Sequence, residues 1–399
     1  MERRPGVPRL LREINDRAAL ELLLASGPLT RGQIGDMTGL SKVTASQTLS
    51  RLEERGLVQV VGEQAGNRGP NAALYGVIPS SAYVAGLDVG PQSVTTAIAD
   101  INGEIVAEVT VSPDEHDDPV ALVHNAVVKA CRSGKVALSR LKGVVIGTPG
   151  VVDPRSGDVR FSFDLPGWHE GSHQALARDL RRPVTIENDV NLAAIAERSE
   201  GAAKGVDDFV LLWVERGVGL AVVLGGRLHR GRSGSAGEIG YLPVPGVPLA
   251  GDVKAVPGRM PSLAGGLQSL ISAEAVAELA EPYGFLSGRV AVTEGSAAEA
   301  VRAAVESGEA GAAFLDEFAH RLALGVASVC VVLDPTLVVL NGEVGRAGGD
   351  ELTYRVEEAV AHMCPIRPEV VVSKVEGRPV LRGAILAALE QAREEIFAS

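Results

Sequence analysis

Cysteine is scarce in this chain of 399 residues. The three cysteines, Cys131, Cys330 and Cys364, lie far apart, and none belongs to a CxxC pair. This spacing argues against a disulfide framework and against a cysteine-based zinc cluster, and it is typical of proteins from a reducing compartment. We therefore expect a cytoplasmic protein that needs no metal or other cofactor.

Long apolar runs are also missing. No stretch of about 18 apolar residues occurs, and Arg3, Arg4, Arg9 and Arg12 interrupt the N-terminal segment. We expect neither a membrane span nor a secretory signal. The overall apolar content of 46% is nevertheless enough for a sizeable core in two or three domains.

A basic surplus is absent from the chain as a whole, which carries a net charge of −12. The charge is unevenly distributed: residues 1–75 hold 10 Lys and Arg against 8 Asp and Glu, a net +2, and the remainder holds 28 against 42, a net −14. This division is typical of a DNA-binding module joined to an acidic ligand-binding body, although ordinary variation in surface charge also produces it.

The first 78 residues carry a pattern of three helices followed by a hairpin. Leucines at helical spacing precede Gly27, Thr30 and Ser41 stand where N-caps of two further helices are expected, and Gly39 and Gly56 end those helices. Val43, Ala45, Leu49 and Leu52 are predicted to face the core from the third helix. Two alternating strands then enclose a Gly/Asn/Pro-rich tip at 66–70, which indicates a winged helix-turn-helix.

The outer face of the third helix has the side chains that read bases in a major groove, where Lys and Arg recognise guanine and Gln recognises adenine. Arg31 is placed to contact phosphates, which orient a protein without specifying sequence, and Arg68 at the wing tip to enter a minor groove. A small helical bundle with a solvated face is the alternative. The predicted DNA contacts are Arg31, Lys42, Thr44, Ser46, Gln47, Arg51 and Arg68.

From Pro79 onward, strand-rich segments and helices alternate twice. Meanders are predicted over 83–111 and 209–223, each followed by helices, which favours two α/β lobes. We divide the chain into a DNA-binding domain (1–78), an N-terminal lobe (79–190) completed by the C-terminal helix (378–399), and a C-terminal lobe (191–377).

A series of fragments in this body resembles the ROK family of repressors, open reading frames and kinases. The resemblance covers nearly the whole chain, and with the winged helix in front it points to the family's regulator branch. The fragments are GLDVGPQSVTTAIADINGEI (86–105), GTPGVVD (147–153), LPGW (165–168), ENDVN (187–191) with Glu197, RGVG (216–219), GEIGY (237–241) and VLNGEV (339–344).

The resemblance implies a two-lobed, actin-like (ribonuclease H-like, sugar kinase-like) fold with a ligand in the cleft between the lobes. Asp189 matches the general base of the family's sugar kinases, and a carboxylate that opens a helix after a buried strand suits that task. Capping preference alone makes Asp189 an ordinary N-cap. The ligand-binding residues expected from the resemblance are Gly150, Asn188, Asp189, Glu238, Tyr241 and Gln268.

The chain departs from the family pattern at the zinc site. Tyr241 stands where the family has a metal-binding His, and no cysteine occurs between Cys131 and Cys330, so the zinc ligands are missing. Gln268, in GGLQS, replaces a second sugar-contacting Glu. We expect that a ligand still binds, with altered selectivity.

The two phosphate-binding loops also depart from the pattern. The first reads Asp88-Val89-Gly90-Pro91-Gln92, and Pro91 has no N–H to offer a phosphate oxygen. In the second, Glu215 places a carboxylate near the expected phosphates, a repulsion of roughly 1–4 kcal/mol at about 4 Å. Because phosphoryl transfer depends on positioning the phosphates, we expect Asp189 to be a vestigial base in a protein that is not an enzyme.

These observations together predict a transcription regulator, with repression as the expected mode. Its partners would be double-stranded operator DNA and a small effector, a sugar or sugar phosphate, and it would act as a homodimer or a dimer of dimers. Two alternatives stay open: an active sugar kinase that carries a DNA-binding head, and a regulator that senses a ligand other than a sugar.

Overall fold

The computed structural model describes residues 8–65, 71–113, 118–161, 168, 171–250, 265–286 and 293–398. Within these ranges, no helix combines the length and the apolar character needed to cross a membrane. The predicted wing-tip contact Arg68 and most of the LPGW motif lie outside the described residues.

The N-terminal module is a winged helix-turn-helix, as predicted. A two-residue strand, β1, was not predicted from the sequence; it pairs with β3 and closes a sheet of order β1-β3-β2. The elements are α1 (Pro8–Ser26), β1 (Leu29–Thr30), α2 (Arg31–Thr38), α3 (Lys42–Glu54), β2 (Val58–Gln64) and β3 (Ala72–Val77).

Both predicted caps of the helix-turn-helix are present. The Thr30 hydroxyl accepts the backbone N–H of Gln33, and the Gln33 side chain in turn accepts the N–H of Thr30. Ser41 accepts the N–H of Thr44 at the start of α3. Gly39 lies between the two helices at φ +72°, a left-handed conformation that glycine adopts without strain.

One predicted core position of α3 is wrong. Ala45, Leu49 and Leu52 are buried, but Val43 is 67% exposed. Two residues of helix rotate by about 200°, so a side chain two positions before Ala45 points away from the core. Val43 instead shares the outer face with Ser46 and Gln47, three and four residues later.

The first lobe is built on a five-stranded sheet of order β10-β7-β4-β5-β6. Strands β4, β5 and β6 form an antiparallel meander, and β7 and β10 run parallel to β4. Its elements are β4 (Tyr83–Val89), β5 (Val94–Asp100), β6 (Ile105–Val111), α4 (Pro119–Ser133), β7 (Leu141–Thr148), β8 (Val151–Val152), β9 (Val159–Phe161), α5 (Ser172–Leu180), β10 (Val184–Asn188) and α6 (Asp189–Glu200).

The second lobe repeats the same plan in a sheet of order β13-β12-β11-β14-β15, with β14 and β15 parallel to β11. The two mixed sheets and the winged head confirm the predicted fold class. The elements are β11 (Phe209–Val214), β12 (Val218–Leu224), β13 (Arg227–Leu228), α7 (Gln268–Ile271), α8 (Ala273–Ala280), α9 (Glu294–Glu306), α10 (Ala312–Leu333), β14 (Leu337–Asn341), α11 (Glu343–Ala347), α12 (Gly349–Met363) and β15 (Glu369–Val372).

The last helix, α13 (Pro379–Ala398), returns to the first lobe and packs on its sheet and on α6. Glycines permit this close approach. A Cβ on Gly86 of β4 would lie 2.8 Å from Ile385, and a Cβ on Gly383 would lie 1.9 Å from the carbonyl oxygen of Leu192. No side chain fits at such separations, so α13 lies directly against the sheet.

Candidate functional site

A cavity of about 520 Å³ lies between the two lobes. The carboxyl ends of β4, β7 and β10 meet at its edge from one side and that of β11 from the other, the usual position of ligands in α/β sheets. From the first lobe it is lined by 88–93, 149, 150 and 188–190; from the second lobe by 213, 215–219, 238, 240, 241, 265, 268, 294 and 343; and from the start of α13 by 377–380.

The structure brings all six predicted ligand-binding residues to this cavity. Asn188 rather than Asp189 caps α6: its side-chain oxygen accepts the N–H of Asn191 at 3.1 Å. Its Nδ2 donates to the carbonyl of Gly150 and to Oδ1 of Asp189. Gly150 has φ +106°, so the turn that carries this carbonyl favours glycine.

Asp189 is the first residue of α6, and both of its hydrogen bonds end on one oxygen. Oδ1 accepts from the N–H of Val190 at 2.8 Å and from Asn188 at 3.0 Å. Burial, with a smaller contribution from the carboxylates of Asp88, Glu215 and Glu238, raises the pKa of Asp189 to about 7, against the lowering effect of the Val190 N–H. Asp189 therefore titrates near neutral pH.

Glu238 precedes a short 3₁₀ turn over Ile239–Tyr241 in the second lobe, and Tyr241 is the last residue of that turn. Burial raises the pKa of Glu238. Burial and the neighbouring Glu238 raise the pKa of the Tyr241 hydroxyl. Tyr241 is 42% exposed and lines the cavity.

Gln268, a predicted ligand-binding residue, lines the cavity and is also bonded to its wall. Its Oε1 accepts the N–H of Val218 at 2.8 Å, and its Nε2 donates to the carbonyl of Arg216 at 2.9 Å. The side chain is 5% exposed, and both ends of its amide are used by the β11–β12 hairpin. Gln268 therefore fixes the hairpin at the cavity wall.

Glu215 lies within the hairpin that holds phosphate in the family's kinases. Its carboxylate accepts from the indole N–H of Trp213 at 3.3 Å and from the N–H of Glu343 at 3.1 Å. Burial, with a smaller contribution from Glu294 and Glu343, raises the pKa of Glu215 to about 7, although the two hydrogen bonds lower it. In the first loop, the N–H of Gly90 already donates to the carbonyl of Ser93. The residues of these two loops do not fit a nucleoside triphosphate.

Sequence reasoning missed several residues of the cavity, notably Trp213, Glu294, Glu343 and Arg378. Glu343 lies in the quoted VLNGEV string, but its neighbour Glu215 is 128 positions away. Glu294 begins α9, where no motif marks it. Only the fold shows that these carboxylates line the same cavity.

An ion pair between the lobes was also missed. Glu187, at the end of β10, accepts from Nε of Arg230 at 2.6 Å and from Nδ2 of Asn191 at 2.9 Å. The Glu187 side chain is 8% exposed and that of Arg230 is 45% exposed. Arg230 follows β13 in the second lobe, so this pair joins the two lobes.

The predicted DNA-reading residues differ in accessibility. Lys42 and Gln47 are exposed on α3, and Thr44 and Ser46 are half-buried. Arg31 is exposed and donates to the hydroxyl of Tyr75 at 3.2 Å, which holds it at the start of α2.

Arg51, which was predicted to contact DNA, is paired with Asp16 in the structure. Its Nε donates to both oxygens of Asp16 at 3.1 Å, and its Nη2 donates to Thr48 at 3.0 Å. Asp16 is 7% exposed, so this pair binds α3 to α1.

No cluster of His, Cys, Asp and Glu with metal-binding geometry occurs among the described residues. Tyr241, at the position of the family's zinc-binding His, supplies no imidazole.

Curated relatives match over the body of the chain. The DNA-binding transcriptional dual regulator NagC of Escherichia coli (strain K12) is 28% identical over 238 residues, which is 59% of this chain and 58% of NagC. The xylose repressor of Bacillus subtilis (strain 168) is 26% identical over 242 residues, 59% of this chain and 61% of the repressor. The matches thus span less than two thirds of these relatives.

Solved structures share the fold. A ROK family transcriptional regulator described as a homologue of the E. coli MLC protein superposes with a TM-score of 0.73 over 97% of this chain and 98% of that one, at 19% identity. The ROK hexokinase of Thermus thermophilus superposes with a TM-score of 0.61 over 79% of this chain and all of that one, at 28% identity.

Family models divide the chain as its architecture does. Residues 14–69 match the model of the MarR family, and residues 84–391 match that of the ROK family. The chain belongs to the ROK family, with a MarR-like winged helix-turn-helix placed before the two-lobed, sugar kinase-like domain.

Proposed function

We propose that this protein is a transcription regulator that acts as a repressor. Its affinity for operator DNA is controlled by a small polyhydroxylated ligand in the inter-lobe cleft. The observation that carries the proposal is the course of α13. This single helix begins at the cavity and ends inside the hydrophobic core of the winged head.

At the cavity end, Pro379 and Val380 of α13 and the preceding Arg378 line the wall. A helix of 20 residues is about 30 Å long. Its middle lies against β4, β7 and α6 through buried Ala and Ile side chains. A displacement at Pro379 is therefore transmitted along a rigid element.

At the head end, Ile396 is 5% exposed and belongs to the same core cluster as Leu20 and Leu49 of the helix-turn-helix. Arg55, after α3, donates to the carbonyl of Ile396. The guanidinium of Arg17 lies over the ring of Phe397, 4.9 Å from its centroid. The head is thus packed directly on the end of α13.

The ligand would act by favouring one separation of the lobes. The Glu187–Arg230 pair is the kind of contact that differs between an open and a closed cleft. A ligand that binds one state about 10⁴-fold more tightly moves an equilibrium from 1:99 to 99:1. Smaller differences suffice for partial control of DNA binding.

On the DNA side, α3 would enter the major groove. Lys42, Val43, Ser46 and Gln47 form its outer face, and an exposed Val at 43 suits contact with a thymine methyl group. Arg31 at the start of α2 would bind phosphate. Arg51 has no part in this proposal, because Asp16 already holds it.

Two heads would read two half-sites about one helical turn apart, so we propose a homodimer. In such an arrangement a shift of a few ångströms between the heads is enough to weaken binding.

A sugar kinase is the second candidate, and the position of Asp189 favours it. Its pKa of about 7 suits a general base at neutral pH. Against it stand Pro91 and the buried Glu215 in the two loops that would hold phosphate. A coupled assay for sugar-dependent ATP consumption separates the two candidates, and turnover would support the kinase.

The regulator is tested with the genomic DNA fragments that the purified chain retains. We expect one recurrent operator sequence, and expect its affinity to change at least tenfold with one member of a ligand panel. Unchanged DNA affinity with every ligand would rule out ligand sensing. Failure to retain any duplex DNA would rule out the proposed regulator function.

A further inference from the structure

The cavity between the lobes is strongly acidic. Among the described residues that line it, six are carboxylates and two are guanidiniums, Arg216 and Arg378. The carboxylates are Asp88, Asp189, Glu215, Glu238, Glu294 and Glu343. Even with Asp189 and Glu215 counted as neutral, carboxylates outnumber guanidiniums by two to one.

One of the guanidiniums is shared with an acidic residue outside the cavity. Arg378 lies 3.8 Å from Glu108, and its charge also acts on Asp88. Glu215, Glu294 and Glu343 form a second acidic group, in which Glu294 and Glu343 raise the pKa of Glu215. That group occupies the half of the cleft where the family's kinases hold phosphates.

Two acceptors in the other half of the cavity are left for a ligand. Both side-chain hydrogen bonds to Asp189 end on Oδ1, so Oδ2 of this half-buried carboxylate has no partner in the described part of the chain. The carboxylate of Glu238, which also lines the cavity, likewise has no hydrogen bond to a described residue. Both carboxylates line the cavity, so their free oxygens can accept hydrogen bonds from a ligand that donates.

Aromatic rings complete the lining. Trp213 and Tyr241 both lie at the cavity wall, and the indole N–H of Trp213 is fixed by Glu215. Tryptophan and tyrosine faces attract organic cations, particularly where water is excluded. Carboxylates beside aromatic rings recognise an ammonium group better than a neutral hydroxyl.

We propose that the effector carries a protonated amine, as an amino sugar or other amino-polyol does, and that the cleft rejects phosphate esters. This inference rests on the proposed function, since it names the ligand class of the same cleft. An ammonium would donate to Asp189 and Glu238 or sit among Glu215, Glu294 and Glu343, and a phosphate would face the same carboxylates with repulsion.

The test is calorimetric titration of the full chain with matched ligands at low salt and pH 7.5. The pairs are 1-amino-1-deoxyglucitol with glucitol, and the 2-amino-2-deoxy forms of glucose, galactose and mannose with the parent sugars, together with each sugar 6-phosphate. At least one amine should bind tenfold or more tightly than its hydroxyl counterpart, and this preference should shrink at high salt. Tighter binding of a neutral or phosphorylated compound, or no binding of any amine, would overturn the proposal.

Substitutions in α9 test which residue causes the preference for an amine. Glu294→Gln should lower the affinity for the amine at least threefold more than the affinity for its neutral partner. Glu299→Gln, an exposed position on the same helix outside the cavity, is the matched control and should change neither. Equal loss for amine and hydroxyl ligands would mean that Glu294 acts through structure and not through charge, against the proposal.

The two proposals fail in different ways. If a neutral sugar or a phosphate ester releases DNA and no amine does, ligand control of DNA binding stands and the proposed ligand class is wrong. If an amine binds and DNA affinity stays constant, the ligand class stands and ligand control is wrong.

Discussion

Glu394 accepts hydrogen bonds from both terminal nitrogens of Arg17, which lies 377 positions earlier in the chain. The pair joins the last helix to the first at the surface, beside the buried contact of Ile396. An exposed pair of this kind contributes little to stability, so the buried contact of Ile396 is what holds the head in place.

We expect Glu394→Gln to lower the free energy of unfolding by less than about 1 kcal/mol, because the side chains are 43% and 56% exposed. Ile396→Val, which removes one buried methylene, should cost about 0.5–1.5 kcal/mol. Chemical denaturation measures both. A larger loss for Glu394→Gln would show that the ion pair, and not the core contact, holds the head.

Lys42→Ala should weaken DNA binding with little change in stability. Lys42 is exposed at the start of α3, and removal of one phosphate or base contact also reduces the salt dependence of binding by about one unit. Fluorescence anisotropy at several salt concentrations measures this. Lys204→Ala, an exposed lysine of the body, is the control, and an equal effect there would exclude a specific role for Lys42.

Arg51→Ala should act on stability. It leaves the Asp16 carboxylate, 7% exposed, without its partner, a loss of about 1–3 kcal/mol. Thermal unfolding of the variant should show the head melting earlier. Full stability together with lost DNA affinity would restore Arg51 as a base-reading residue.

Gln268→Glu should destabilise the chain even though the family has Glu at this position. An ionised carboxylate cannot donate to the carbonyl of Arg216 as Nε2 does now, and an unsatisfied buried acceptor costs about 1–3 kcal/mol. The measurement is unfolding without ligand, with the exposed Gln174→Glu of α5 as control. An unchanged unfolding midpoint would contradict the conclusion that Gln268 fixes the β11–β12 hairpin.

Asp189 should make the protein less stable as pH rises. Its pKa is about 7 in the folded chain against an ordinary 3.8, so the folded state holds more protons than the unfolded state between these values. Stability therefore falls from about pH 4 to pH 7, by on the order of 2–4 kcal/mol, and stays lower above that.

Asp189→Asn removes this dependence, since the amide oxygen still accepts the N–H of Val190 and carries no charge. The variant should match the natural chain near pH 4 and exceed its stability at pH 8, as denaturation curves at both pH values will show. The stability of the variant should still decrease somewhat as pH rises, because Glu215 also has a pKa of about 7. A variant less stable at pH 8 would contradict the buried-charge account.

Local patterns were enough to predict the elements of the fold. The caps Thr30 and Ser41 and the alternating strands around the wing depend on neighbours within a few residues, and the structure has them where expected. β1 was missed because two residues form a strand only through their pairing with β3. Val43 was misassigned because its apolar character suggested burial and its helical phase was not weighed.

The site could be predicted only where a motif marks it. All six predicted ligand-binding residues reach the cavity, but their tasks depend on distant partners. Gln268 is bound by a hairpin 50 positions earlier, and Arg51 is bound by Asp16, 35 positions earlier. No pattern within one element contains these pairings.

The most direct test of the coupling through α13 is a titration of the retained operator with the full chain, with and without the ligand panel, for the natural protein and for Ile396→Ala. The account predicts that one ligand shifts the DNA dissociation constant of the natural chain at least tenfold, and shifts that of Ile396→Ala less than threefold while binding both chains equally. An equal ligand-induced shift in both chains would contradict it, because the signal would then reach the head by another path.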